Sequence, residues 1–432
     1  MSNQSTVTTT PVQSITDRVR TKARTDSVDL LRGIVMVIMM LDHTRDYVHS
    51  GALSSNPLDL TQTSTALFLT RWITHFCAPT FVFLAGTGAY FQLARGKSKS
   101  ELSRFLVSRG LWLIVLEFTL VRFGAIFNVD PSFAGMPQVI WVIGISMIVL
   151  AGLIHLPLKA VAAFGLTMVC LHNLLDRFQV AGFSPENPSP SVGARVWMLL
   201  HQQGIFPIAG EGSPLVLVLY PLIPWIGVMA VGYAFGSIYQ KEASSRRRIL
   251  LKGGILVTVL FVVIRAIDRY GEPFQWSRQK NLVFTILSFI NTTKYPPSLD
   301  FLLMTLGPGI LLLAWFESMN RPANQKERGE QTFLERVGKI FVTFGRVPLF
   351  FYLLQWPVAH IISILLHVAF GKPAGWLFET PVQWFSNPHP GIGFNLAVVY
   401  ACWISGVILL FPLCKWFAAV KQRRRDWWLS YL

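Results

Sequence analysis

Ten long runs of residues almost free of charge limit this chain more than any other feature. They lie near 28–49, 65–94, 106–127, 134–154, 157–177, 213–239, 252–270, 298–318, 338–369 and 393–419. A run of roughly 20 apolar residues spans the bilayer core as a helix, in which every backbone polar group is satisfied internally. The pattern predicts an all-α fold: a polytopic transmembrane helix bundle of about ten spans. Composition agrees, with 52% hydrophobic residues and 14% Asp, Glu, Lys and Arg, against roughly 25% charged in soluble domains. The second and ninth runs are long, and Pro79, Pro348 and Pro357 are candidate kinks within them. Residues 281–292 form a weaker apolar stretch, expected at the membrane interface.

The formal charge of +16 would suit a nucleic-acid partner, but its distribution has a simpler reading. With the N-terminal tail placed in the cytoplasm and the loops alternating, the inner segments hold 25 Lys and Arg and the outer loops five. Cytoplasmic loops carry this bias in membrane proteins. Both termini are therefore expected inside, with the basic segments facing anionic lipid headgroups and no nucleic acid involved. Residues 1–26 read as a disordered cytoplasmic tail, 27–420 as the transmembrane domain, and 421–432 as a basic and aromatic C-terminal tail anchored at the interface. Cys77, Cys170, Cys402 and Cys414 lie in or beside apolar runs without metal-ligand spacing; no metal is expected. The outer loops 178–212 and 271–297 read equally as caps over a cavity or as connectors.

Ionisable groups at membrane depth cost roughly 2.5–3.5 kcal/mol each on insertion scales, so each needs a partner, a cavity or a task. The densest group is Asp42-His43-Thr44-Arg45-Asp46-Tyr47-Val48-His49, at the outer end of the first span. Offsets of three and four put Asp42, Arg45, Asp46 and His49 on one helix stripe, and His43 three residues from Asp46. A carboxylate beside an imidazole is the usual arrangement of a general base; a structural ion network is the alternative. Arg71 and His75, Glu117 and Arg122, His172, Asp176 and Arg177, Arg265, Asp268 and Arg269, and His360 and His367 complete the set. Most of them fall in the outer half, which points to a polar cavity open to the outside.

Arg32 and Arg346 sit near inner ends as buried arginines without an adjacent acid, which points to an anionic ligand such as phosphate or to snorkelling. Arg32 and His43 are eleven residues apart, about 16 Å along a helix. That is the scale of an extended pantetheine arm, so a coenzyme A thioester held at its phosphates near Arg32 would present its acyl carbon near His43.

Several blocks then show a likeness. Ser27-Val28-Asp29-Leu30-Leu31-Arg32-Gly33-Ile34, Pro79-Thr80-Phe81-Val82-Phe83-Leu84-Ala85-Gly86, Lys294-Tyr295-Pro296-Pro297-Ser298 and Gly345-Arg346-Val347-Pro348-Leu349-Phe350-Phe351-Tyr352 resemble membrane acyltransferases related to heparan-α-glucosaminide N-acetyltransferase, bacterial members above all. The acyltransferase-3 family likewise opens with Asp-x-x-Arg-Gly and has a catalytic His after ten intervening residues, the spacing of Arg32 and His43. The resemblance implies transfer of an acyl group, usually acetyl, from cytoplasmic acetyl-CoA to a saccharide or glycolipid on the far side of the membrane. The chain departs from the heparan enzyme at Asp42, where that enzyme carries an amide; its catalytic His lies further along the loop. His43 or His49 fills that role here.

The expected enzyme is thus a multi-pass acyltransferase of a bacterial cytoplasmic (inner) membrane, with homo-oligomerisation open. Arg32 and Arg346 bind the donor. His43 or His49 is the base, and Asp46 or Asp42 orients it. Arg45 or Arg71 stabilises the oxyanion, and Arg71 and His75 face the acceptor. Direct transfer and an acyl-histidine step both remain open. The rival reading is a secondary transporter for a small anion or sugar, for which the outer polar cavity would serve equally.

Overall fold

A computed structural model describes residues 15–51, 55–319, 333–387, 389, 391–424 and 426–432. Its helices are α1 (Ile15–Val48), α2 (Thr65–Ile73), α3 (Cys77–Ala94), α4 (Lys99–Leu116), α5 (Arg122–Ile126), α6 (Val139–Leu153), α7 (Leu158–Leu171) and α8 (Val192–Leu200). They continue as α9 (Leu222–Phe235), α10 (Ala243–Ile267), α11 (Leu282–Ile290), α12 (Leu299–Met319), α13 (Phe333–Arg346), α14 (Pro348–Ala369), α15 (Pro381–Ser386) and α16 (Leu396–Arg423). Each of the ten apolar runs contains at least one helix. Seven helical segments among the described residues are long and apolar enough to cross a membrane. The protein is an all-α polytopic membrane protein.

The lipid-facing elements are legible from exposure. Leu256, Val259 and Val262 of α10 and Ile408, Leu409 and Trp416 of α16 are exposed although strongly apolar, as suits faces turned to hydrocarbon in a membrane protein. Conversely, α3, α9 and α12 bury most of their surface inside the bundle. At the centre stands α1, packed against α3, α12, α13, α14 and α16. Its contact with α13 depends on two glycines: a Cβ on Gly33 would overlap the Phe341 carbonyl, and one on Gly345 the Asp29 carbonyl. Small residues let helix backbones approach this closely in membranes. The Asp-x-x-Arg-Gly and Gly-Arg motifs are therefore the two sides of one helix crossing.

Four elements differ from the sequence reading. α1 already runs from Ile15, because residues 15–26 carry several good helix formers; residues 1–14 of the expected tail lie outside the described residues. The run 213–239 begins with a strand, not a helix: β1 (Phe133–Gly135), β2 (Gly204–Pro207) and β3 (Leu215–Val218) form a small sheet in the order β1-β3-β2. β1 is parallel and β2 antiparallel to β3. Pro221 then precedes α9, as proline suits a helix start. The ninth run is two helices, broken at Val347 immediately before Pro348, since a residue preceding proline avoids the α region. Pro357 stays inside α14. The C-terminal tail is docked as well as aromatic: Trp427–Ser430 form a 3-10 turn, Leu429 is buried, and the Tyr431 and Ser108 hydroxyls lie 2.6 Å apart.

Candidate active site

Two cavities follow one another along α1. The first, about 690 Å3, is lined from α1 by Val28, Asp29, Arg32 and Met36. The second, about 510 Å3, is lined from α1 by Met39, Asp42, His43, Arg45, Asp46 and Tyr47. α6 and α14 run beside them in the same way. Val139 and Tyr352 border both spaces, so the cavities abut at these two residues.

The first cavity is cationic and apolar. Arg32, Arg95, Lys97, Arg109 and Lys421 line it, with Asp29 as a lone acid, beside Met36, Phe81, Leu84 and Met147. Only Arg32 of these cations was singled out by the sequence as a donor ligand; the others were visible merely as part of the basic segments. Arg32 does have an adjacent acid, contrary to expectation: its Nη1 donates to Asp29 at 3.0 Å and to the Gly345 carbonyl at 3.3 Å. Arg346 likewise pairs with Asp26 at 3.1 Å and is absent from the cavity wall. Asp29 stands one turn before Arg32 on α1, whereas Asp26 meets Arg346 only through the α1–α13 crossing, which spacing along one run did not reveal. Arg109 is held by the Ser430 carbonyl, so the C-terminal turn forms part of the cavity rim.

The second cavity holds a buried ion cluster. Arg71 donates to Asp42. The Arg45 Nη2 lies 3.1 Å from Asp42 and 2.5 Å from Asp46, and Lys294 approaches Asp42 to 3.9 Å. Arg45 keeps its Nε and Nη1 buried and without a hydrogen-bond partner. Arg71 also reaches the Thr74 hydroxyl at 3.5 Å. Aromatic rings line the rest: Tyr47, Tyr220, Tyr295, Tyr352, Trp356 and Trp384. Lys294 and Tyr295 come from the loop after α11, so the 271–297 segment contributes directly to this cavity. Burial raises the Tyr295 phenol, but the adjacent Lys294 and Arg71 cations outweigh it and bring it below the ordinary tyrosine range.

The histidines separate clearly. His43 lines the second cavity, packs on Trp356 with ring centroids 3.7 Å apart and the rings tilted by 34°, and has its Nδ1 buried without a partner. The expected carboxylate–imidazole hydrogen bond is absent, because Asp42 and Asp46 are taken by arginines. His49 lies outside the cavity wall, and its Nδ1 accepts from the Gly51 N–H at 3.0 Å. His75 is fully buried and faces Phe301 at 5.2 Å, off the cavity wall.

Most remaining charged candidates hold the fold together. Arg122 donates to the carbonyls of Asn128, Asp130 and Phe133. Arg265 donates to those of Phe274, Phe289 and Asn291. Glu117, in a π-helical turn, accepts from the Trp141 N–H at 2.9 Å and so caps α6. His172 bonds the Pro297 carbonyl at 2.8 Å, and Asp176 bonds His201 at 2.8 Å. His360 lies between the Tyr47 and Phe127 rings.

A cationic cavity of about 690 Å3 thus lies beside an imidazole-bearing cavity of about 510 Å3. The family model for the catalytic region of heparan-alpha-glucosaminide N-acetyltransferase matches residues 24–266, more than half of the chain. The chain belongs to that family. The matched region contains Arg32, the whole Asp42–His49 cluster and most of the first cavity, while α11–α16 lie beyond it. The family is one of acetyltransferase enzymes, which agrees with the membrane fold. No curated protein matches the chain.

Proposed function

We propose that this protein transfers an acetyl group from acetyl-CoA, bound in the cationic cavity, to a hydroxyl or amine of a saccharide or glycolipid in the aromatic cavity. The observation that carries this reading is that the two cavities share Val139 and Tyr352 in their walls. Arg32, Arg95, Lys97, Arg109 and Lys421 receive the donor phosphates, as clustered cations suit. The pantetheine arm follows the apolar wall past Met36 and Met147. The thioester then lies at the junction, within reach of His43.

His43 takes the proton of the acceptor hydroxyl or amine as its oxygen or nitrogen bonds to the acetyl carbon. The carbon–sulfur bond breaks, and the leaving thiolate takes up the proton from the imidazolium. Trp356 fixes the ring plane by packing against it. Asp42 and Asp46 neutralise Arg45 and Arg71 and hold the wall rather than the imidazole. The unpaired Arg45 N–H groups and Lys294 orient the acceptor, whose sugar faces pack on the aromatic rings. The basic end, with its donor cavity, faces the cytoplasm of a bacterial inner membrane, and the loops at 178–212 and 271–297 face outward.

The test uses purified protein with acetyl-CoA and D-glucosamine as probe substrates, reading thiol release. The wild type is expected to release CoA, and His43→Ala to lose about 100-fold or more in kcat, the usual contribution of a general base. Equal turnover by the two proteins removes His43 from the mechanism. Solute flux into proteoliposomes, with no acetyl-CoA binding, would replace the enzyme reading with transport.

A further inference from the structure

Two buried hydrogen-bond donors on α14 meet no partner other than each other, and neither donor group takes part in the steps above. They are the Tyr352 hydroxyl and the Trp356 indole N–H. Residues four apart on a helix share one face. Tyr352 borders both cavities, and Trp356 borders the second while packing on His43 at 3.7 Å. A buried polar group left without a partner costs roughly 1–3 kcal/mol. Two such donors, one turn apart on a helix that borders the cavities, are tolerated where a bound species supplies the missing acceptor.

We propose that the Tyr352 hydroxyl and the Trp356 N–H bind the thioester carbonyl oxygen and stabilise the oxyanion of the tetrahedral intermediate. This rests on the acetyl-transfer reading above and extends it. When the acceptor attacks, the carbonyl π electrons move onto oxygen, and the two donors hold that charge. As the intermediate collapses, the electrons return, the carbon–sulfur bond breaks and the thiolate departs. Neither donor gives up its proton. Position favours Tyr352, which borders both cavities, and its helix neighbour Trp356 over the arginines: Arg71 is committed to Asp42 and Thr74, and Arg45 is paired with Asp42 and Asp46. Both donors lie beyond residues 24–266, outside the family match.

The experiment compares wild type, Tyr352→Phe and Trp356→Phe, substitutions that keep an aromatic ring in place. With acetyl-CoA and D-glucosamine, Tyr352→Phe is expected to lower kcat about 100-fold, the loss typical of one oxyanion donor, with the acetyl-CoA dissociation constant unchanged. Infrared spectra of bound acetyl-CoA labelled with carbon-13 at the carbonyl supply a readout that needs no acceptor. The carbonyl band is expected at lower frequency in wild type and to shift back upward in each variant. An unchanged band and unchanged kcat in folded Tyr352→Phe overturn the assignment while leaving acetyl transfer standing. Should Tyr352→Phe fail to fold, Trp356→Phe decides by the same band. Wild type that binds no acetyl-CoA removes the transfer reading, and this assignment falls with it.

Discussion

At the scale of single residues, the charge cluster at the end of α1 divides its labour by burial. Asp42 sits among Arg45, Arg71 and Lys294, and removing a carboxylate from such a set leaves cations buried without a counter-charge. Asp42→Ala is therefore expected to destabilise the protein by about 3–5 kcal/mol, read as a lowered midpoint of thermal unfolding in detergent. An unchanged midpoint would show that solvent reaches the cluster. His49 bonds the turn after α1 and is off the cavity wall, so His49→Ala is expected to leave kcat unchanged where His43→Ala lowers it about 100-fold or more. Of the site residues, the cluster itself was legible because charge is costly at membrane depth. The choice between the two histidines was not, because helical spacing places both near the carboxylates while only packing decides which one meets a cavity.

At the scale of elements, the crossing of α1 and α13 at Gly33 and Gly345 holds Arg32 at its place on the cavity wall. A methyl group at either glycine has no room. Gly345→Ala is expected to cost about 1–3 kcal/mol, as overpacking does, and to weaken acetyl-CoA binding with it. A variant that melts and binds like wild type would mean the two helices part freely. The C-terminal turn closes part of the rim of the same cavity through Arg109 and Ser430. The break before Pro348 was readable from the proline alone, since the constraint is local. The docking of the C-terminal turn on α4 was not, because it depends on a surface formed by residues more than 300 positions away.

At the scale of the whole molecule, the helices carry two chemically unlike spaces in series, one beside the middle of α1 and one beside its C-terminal end. Five cations line the first, so acetyl-CoA affinity is expected to fall as salt rises. Arg32→Gln is expected to raise the donor KM by about tenfold or more, the loss of one charge-assisted hydrogen bond. Insensitivity of KM to both changes would exclude phosphate binding there. Sidedness can be checked with single cysteines at Ser100 and Glu211, both exposed, in a Cys170→Ser background. An impermeant maleimide is expected to label them from opposite faces of sealed vesicles, and labelling from one face alone would refute the proposed orientation.

What the chain settles by itself is its solvent. Apolar runs of spanning length, punctuated by basic segments, admit a helical membrane bundle and little else, because backbone groups in hydrocarbon must pair within their own helix. Charge within those runs marked the neighbourhood of the site for the same energetic reason. Which charges pair with each other, which line a cavity and which brace a loop depends on contacts between distant helices. Arg122 and Arg265 looked no different from Arg71 along the chain, yet two hold backbone carbonyls and one faces the second cavity. The alignment of the two cavities, and the two donors beside their junction, exist only once α1, α6 and α14 are packed side by side.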